Sequence, residues 1–355
     1  AFTMNGGTIE TVDNCGVGGN GSDTDSYKNY TININGGIIN ANITSSGYVS
    51  CGVYHPNKGT VNITGGVINS SNGAGVVQRA GTLNVTGGTI NASGTLTGKV
   101  GDSRIVVSAS AVVVDKEANY PEVATLSTKI SESAELNGAV KDIQTIGTDV
   151  NVELLGGVYS SAPEEEQISD EYSAYQVLAG KNKNKYVVVK EEELAAETVT
   201  DIEDKEDLPT ADVELIEETI KDKYTLSSYY SAYFMVLTPD GDAVEFIDEA
   251  LEPVEVVFDL PDNLPEVKKG FVRKYYVIRV HNGEVTVIDD VTDNNNGTVT
   301  FKSDKFSTYA LAYNDVASAE TSPNTFDGIS VYMVIMFCSF ALMAILTNYF
   351  RKRIN

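Results

Sequence analysis

TVNITGGVIN, Thr60–Asn69, is one of four decapeptides that align without a gap in the first hundred residues. The others are AFTMNGGTIE (Ala1–Glu10), TININGGIIN (Thr31–Asn40) and TLNVTGGTIN (Thr82–Asn91). Their Gly pairs begin at 6, 36, 65 and 87, giving steps of 30, 29 and 22 residues. Apolar residues alternate within each segment, as in Val61 with Ile63 and Leu83 with Val85, which is the period of a strand and not of a helix. Each segment therefore reads as a strand, a Gly-Gly turn and a second short strand. Between the segments, Cys15-Gly16-Val17, Cys51-Gly52-Val53 and Ala74-Gly75-Val76 occupy equivalent places and add a third strand per coil. Such coils form a parallel β-helix, in which neighbours stack about 4.8 Å apart. Ile32 then lies over Val61 and Leu83, and Ile34 over Ile63 and Val85. Asn40, Asn69 and Asn91 fall at one corner, where their amides hydrogen-bond along a structural ladder.

Step lengths locate the insertions. GGNGSDTDSYKNYT, between Val17 and Ile32, and IINANITSSGYVS, between Gly37 and Cys51, are longer than their counterparts in the third coil. Loops that leave a solenoid are the usual seat of binding. Asp23, Asp25, Tyr27, Tyr30 and Tyr48 are thus the candidate residues for an extracellular glycan or protein ligand. Asp23 and Asp25 lack the full loop pattern of a calcium site and read as solvated charge. Cys15 and Cys51 stack with Ala74 in a small-residue column, which favours a buried thiol pair over a disulfide.

Beyond residue 95 the coils become irregular, but Ile105-Val106-Val107, Val112-Val113-Val114 and Gly156-Gly157-Val158-Tyr159 continue the pattern. SSAPEEEQISDEYSAYQVLAG and Lys185-Tyr186-Val187-Val188-Val189 read as a polar helical turn and a final strand that cap the solenoid, which spans 1–190. Residues 191–212, EEELAAETVTDIEDKEDLPTAD, are acidic and read as an extended linker. Residues 213–315 alternate again, with strands expected at Tyr229–Leu237, Val254–Leu260, Phe271–Val280, Glu284–Ile288, Gly297–Lys302 and Thr308–Tyr313. Asn282-Gly283 is a hairpin turn between two of them. A β-sandwich serving as a spacer is the economical reading.

The whole chain, 355 residues with 42% hydrophobic content, is large enough for two or three domains with real cores. A formal charge of -25 repels phosphate, so no nucleic acid partner is expected. Three cysteines, two histidines and no tryptophan leave little for a disulfide framework, metal ligation or sugar stacking. No cofactor, metal or catalytic residue is assigned. Thr3, Asn33, Asn62 and Asn84 sit at the outward middle of one strand and are poor acids and bases. His55, beside Pro56, reads as a surface loop histidine, and His281 lies in a strand beside its turn. The Asn-x-Ser/Thr triplets coincide with the repeat consensus and read as its by-products.

ISVYMVIMFCSFALMAILTNYF, Ile329–Phe350, has no charged residue and at about 1.5 Å per helical residue reaches roughly 33 Å. Arg351, Lys352 and Arg353 follow it and read as a cytoplasmic tail (351–355), which puts the bulk of the chain outside the cell. Residues 316–328 form a second linker, within which lies Ser322-Pro323-Asn324-Thr325-Phe326-Asp327. The order of motif, hydrophobic run and basic tail resembles a sortase sorting signal. Pro323 and Thr325 match the Leu-Pro-x-Thr-Gly pattern, and Ser322 and Phe326 depart from it. The resemblance implies attachment to the cell envelope through sortase and peptidoglycan, with Thr325 as the mature end; membrane insertion is the rival mode. The Gly-Gly repeats and their terminal unit are similar to surface proteins of gut Firmicutes. KYYVIRVHNGEVTVID and FKSDKFSTYALAY resemble the immunoglobulin-like module that precedes Firmicutes surface anchors.

The expected class is therefore all-β: a right-handed parallel β-helix, an antiparallel immunoglobulin-like β-sandwich and one C-terminal transmembrane helix. Ala1 falls inside repetitive sequence with no signal peptide ahead of it, which reads as a fragment. The expected function is that of an envelope-anchored surface protein, an adhesin or binding protein displaying its solenoid. A carbohydrate-active β-helix enzyme and a spacer stalk for a missing N-terminal domain are the alternatives. An enzyme would carry its acidic cluster on one face of the irregular coils.

Overall fold

A computed structural model describes residues 1–19, 30–44, 51–56, 58–94, 109–115, 126–143 and 151–318. The chain divides into two units, the first comprising Ala1–Leu194 with Thr238–Val244 and the second built from the rest.

In the first unit each of the first five coils contributes one long and one short strand, and β11 adds a sixth long strand. The long strands are β1 (Phe2–Val12), β3 (Thr31–Asn42), β5 (Thr60–Ser71), β7 (Gly81–Ser93), β9 (Leu126–Asn137) and β11 (Val152–Tyr159). The short ones are β2 (Val17–Gly18), β4 (Cys51–His55), β6 (Ala74–Gln78), β8 (Ser110–Val114) and β10 (Ala139–Asp142). Both sets stack in coil order as parallel sheets. The pairing Ile32–Val61–Leu83 and Ile34–Ile63–Val85 follows the aligned sequence, and the second column continues through Ile130 and Leu154. Opposite it, Val17, Val53, Val76, Val112 and Val140 line the short-strand sheet. These two walls form one apolar core. Burying each such side chain contributes about 1.5–3 kcal/mol.

The Gly-Gly pair is a bend inside a continuous strand, so a coil has two strands where three were expected. The second glycine, as in Gly66 at φ 84° and Gly88 at φ 81°, supplies a left-handed backbone. The Cys/Ala-Gly-Val block has a different cause. A Cβ on Gly16, Gly52 or Gly75 would stand 2.2–2.3 Å from the Cγ2 of Ile39, Ile68 or Ile90, and 2.6–2.7 Å from the next coil's carbonyl oxygen. Only glycine lets the short strand approach the isoleucine column this closely.

After β11 the parallel order ends. A single 3-10 turn, Glu165–Gln167, leads to β12 (Tyr172–Gln176) and β13 (Tyr186–Lys190), and β13 pairs antiparallel with both β11 and β12.

The second unit holds β14 (Ala195–Glu203), α1 (Thr210–Ile220), β15 (Thr225–Leu237), β17 (Glu249–Asp259), β18 (Phe271–His281), β19 (Glu284–Ile288), β20 (Thr292–Asp293), β21 (Thr298–Lys305) and β22 (Thr308–Ala317). A further strand, β16 (Ala243–Ile247), pairs with β15. One sheet runs β14-β15-β22-β18-β19 and the other β17-β21-β20. Tyr230, Phe258, Phe301 and Tyr309 pack between them, with Tyr230 stacked on Phe258 at 4.1 Å between ring centroids. Asn282 and Gly283 both have positive φ, as the β18–β19 hairpin requires.

Five expectations are corrected. The acidic stretch 191–212 is not an extended linker: Leu194 and Ala196 are buried, β14 pairs along its whole length with Tyr229–Leu237 of β15, and Thr198 and Thr200 hydroxyls donate to the carbonyls of Glu255 and Val257. The all-β class fails because Val213, Ile216 and Ile220, spaced at helical intervals, bury one face of α1 against Tyr229, Ile278, Val280 and Ala312. That third layer also departs from a two-sheet immunoglobulin-like sandwich. Among the described residues no helix is long and apolar enough to cross a membrane, against the expected C-terminal transmembrane helix. Ile329–Phe350 lies outside the described residues. The single-pass, surface-exposed localisation drawn from that run is withdrawn with it.

The glycine column makes a sharp prediction. Gly52→Ala, driven into Ile68 and the Gly75 carbonyl, lowers stability by about 1–3 kcal/mol or more. Gly6→Ala, with no atom within 4 Å of the added carbon, stays within about 0.5 kcal/mol of the parent. Urea titration of the two variants checks both values.

Candidate functional site

Most residues singled out from the sequence lie outside the described residues: Asp23, Asp25, Tyr27 and Tyr48 of the two loops, Pro323 and Thr325 of the motif, and Arg351, Lys352 and Arg353 of the tail. Tyr30 is described, and it points into the coil stack. Its hydroxyl donates to Nδ1 of His55 at 2.6 Å, with the rings edge-on at 5.5 Å. His55 is not a surface loop residue. It closes β4, is fully buried, and donates from Nε2 to the Gly59 carbonyl at 3.1 Å. Burial lowers its pKa to about 4, so the ring is neutral near pH 7 and, with Nε2 protonated toward Gly59, Nδ1 is left to accept from Tyr30. In the next coil Gln78 pairs with His55 in register and gives its amide to the Gly81 and Ser127 carbonyls. His281, also buried, contacts the Phe306 carbonyl, the Asn282 side chain and Glu249, with no hydroxyl or thiol among them.

The outward columns are ladders. Asn62 donates to Asn33 and Asn84 to Asn62, each at 2.9 Å. At the corner Asn69 donates to Asn40, Asn91 to Asn69 and Asn137 to Asn91, each at 2.8 Å, so the corner ladder runs one coil past the regular repeat. These amides satisfy one another and hold the coils in register.

A cleft of about 400 Å³ opens where the irregular coils meet the antiparallel cap, wholly within the first unit. Glu132 and Glu135 of β9, Gly156 and Gly157 of β11, Tyr172 of β12, and Lys181 line it. Where the coils before and after carry Gly87-Gly88 and Gly156-Gly157, β9 carries Glu132-Ser133-Ala134, one residue more, with Glu132 opposite Gly156. Glu132 takes a left-handed backbone at φ 53°. Among the described residues only Ala109 and Glu171 share that state outside glycine, asparagine and aspartate. Across the cleft the segment 238–242 is locked down: the Asn182 side chain and backbone N–H both donate to Asp242, which is 1% exposed.

Electrostatically the cleft is acidic, with Glu132, Glu135, Glu193, Asp240 and Asp242 against Lys181. Lys185 donates to Glu135 at 2.5 Å, and with it Asn137 at 3.3 Å holds the Glu135 carboxyl below its usual range despite partial burial. A carboxylate held ionised is a fixed acceptor and a poor proton donor near neutral pH. Sequence reasoning passed over this site. Glu132 and Ser133 in place of a Gly pair were readable had the repeat been extended to β9, whereas Asp240 and Asp242 come from a turn with no repeat signal.

His55 also predicts a pH response. A folded-state pKa near 4, against 6.5 in the unfolded chain, leaves stability intact above pH 6.5 and removes it as pH falls toward 4. The loss is on the order of 3 kcal/mol. His55→Gln, which repeats the side chain of the next coil, abolishes that part of the acid limb, measured as the difference between parent and variant in urea titrations at pH 7, 5.5 and 4.5. No protein-family model, curated protein or solved structure matches the chain.

Proposed function

We propose that the chain is a non-catalytic binding protein of adhesin type, in which a rigid stack of coils carries a cleft for the end of a glycan. The observation that supports this is Glu132. A left-handed glutamate costs about 1–2 kcal/mol relative to the glycine used in neighbouring coils, and retained strain of this kind gathers at ligand sites. About 400 Å³ is within the range of small-ligand clefts. Glu132, Glu193 and Asp240 accept from sugar hydroxyls, Lys181 offers a donor, and Tyr172 lines the wall. The acidic excess favours a neutral or amino sugar over a uronic acid. A glycoside hydrolase needs one carboxyl kept protonated near neutral pH. Glu135, held ionised, does not supply that acid.

Calorimetric titration of the full chain with neutral, amino and uronic oligosaccharides tests the reading: the first two classes bind and the third does not. Glu132→Gly relieves the backbone, leaving stability unchanged or raising it by up to about 1 kcal/mol, and weakens binding about tenfold or more. A variant that keeps the parent affinity sinks the proposal.

A further inference from the structure

We propose that Cys15 and Cys51 are a reversible redox pair whose disulfide staples the first coil to the second. The two sulfurs stand 3.5 Å apart as thiols on neighbouring coils, held by the Val17–Val53 pairing and by the Gly16 N–H donating to the Cys51 carbonyl at 3.0 Å. Parallel neighbours at about 4.8 Å fall within the Cα separation that a disulfide accepts, so closure asks only for side-chain rotation.

The two thiols are unequal. Cys51 is fully buried and Cys15 only partly so, which gives a small oxidant access to Cys15 alone. The single proton of the Cys51 thiol is shared between the Val53 carbonyl at 3.2 Å and the Cys15 sulfur at 3.5 Å; the latter contact lowers the Cys15 pKa, whereas burial raises that of Cys51. Cys15 is the attacking thiol and Cys51 the resolving one. The Cys15 thiolate attacks a small-molecule disulfide, forms a mixed disulfide and expels one thiolate, which takes up the Cys15 proton. Cys51 then gives up its proton and attacks the Cys15 sulfur, expelling the second small thiol. Two cysteines are oxidised and one external disulfide is reduced to two thiols.

The site is placed where it has most to add. The short strand of the first coil, Val17–Gly18, is two residues long, against five for Cys51–His55 of the second. Beyond the strand pairing, side-chain links between these coils include those from Thr44 to Asp13 and from Asn35 to Asn5.

The test incubates the full chain with glutathione disulfide under native conditions, followed by peptide mapping without reduction and by amide hydrogen exchange. The expected product is a linked Cys15–Cys51 peptide pair, with residues 2–12 exchanging about tenfold more slowly or better. Cys51→Ala stops at glutathione on Cys15, and Cys15→Ala leaves Cys51 unmodified. Alanine is tolerated there because Ala74 occupies the same column one coil on. A chain that yields no Cys15–Cys51 pair, a link through Cys338 or to a second chain, or a linked pair with unchanged exchange overturns the proposal.

Discussion

The first unit depends on the contact between the glycine column Gly16-Gly52-Gly75 and the isoleucine column Ile39-Ile68-Ile90. It sets the width of the regular coils. With no side chain on one wall and a β-branched one on the other, the two parallel sheets approach until backbone meets methyl. The remaining apolar residues then have one depth in which to pack. Ala111 stands where this column reaches the fourth coil, and from there the repeat loses its regular step.

Several buried polar groups of the first unit find partners at the turns or on an adjoining coil. His55 and Gln78 spend their donors on carbonyls of the following turn. Arg79 and Asp115, both 2% exposed, face each other at 3.9 Å one residue further along the same register. Paired charges at this depth add little net stability over an apolar pair of equal volume, but they penalise any slip of register that would separate them. The amide ladders act in the same sense on the outside. Register is therefore held by hydrogen bonds and charge, and coil width by steric contact.

The repeat was legible because its columns are written in residue types with a single tolerable role. Ile63, Val85 and Asn69 could be placed from the alignment alone. Legibility failed where context overrides composition. β14 is acidic and sparsely apolar, yet its threonines find acceptors on a neighbouring sheet, which no local pattern reveals. The three apolar residues of α1 were visible at helical spacing, but the charged surroundings masked them. His55 beside a proline reads as a loop, and only the stacking of Tyr30 over Gly59 shows why it is interior. The cleft was half legible: Glu132 breaks the glycine rule within the repeat, whereas Asp242 reaches the site from far along the chain.

The antiparallel cap bears on how such a stack can change in length. β12, the outer strand of the cap, is five residues long where β5 has twelve, so a further coil of the same consensus would meet less than half its pairing length at that end. Duplication of a 22-residue unit between the third and fourth coils, by contrast, continues the isoleucine and asparagine columns without altering either neighbour. Growth by tandem copying is thus permitted in the regular coils and blocked at the cap, and variation in reach among descendants of this sequence would accumulate upstream of the cleft and leave its geometry unchanged.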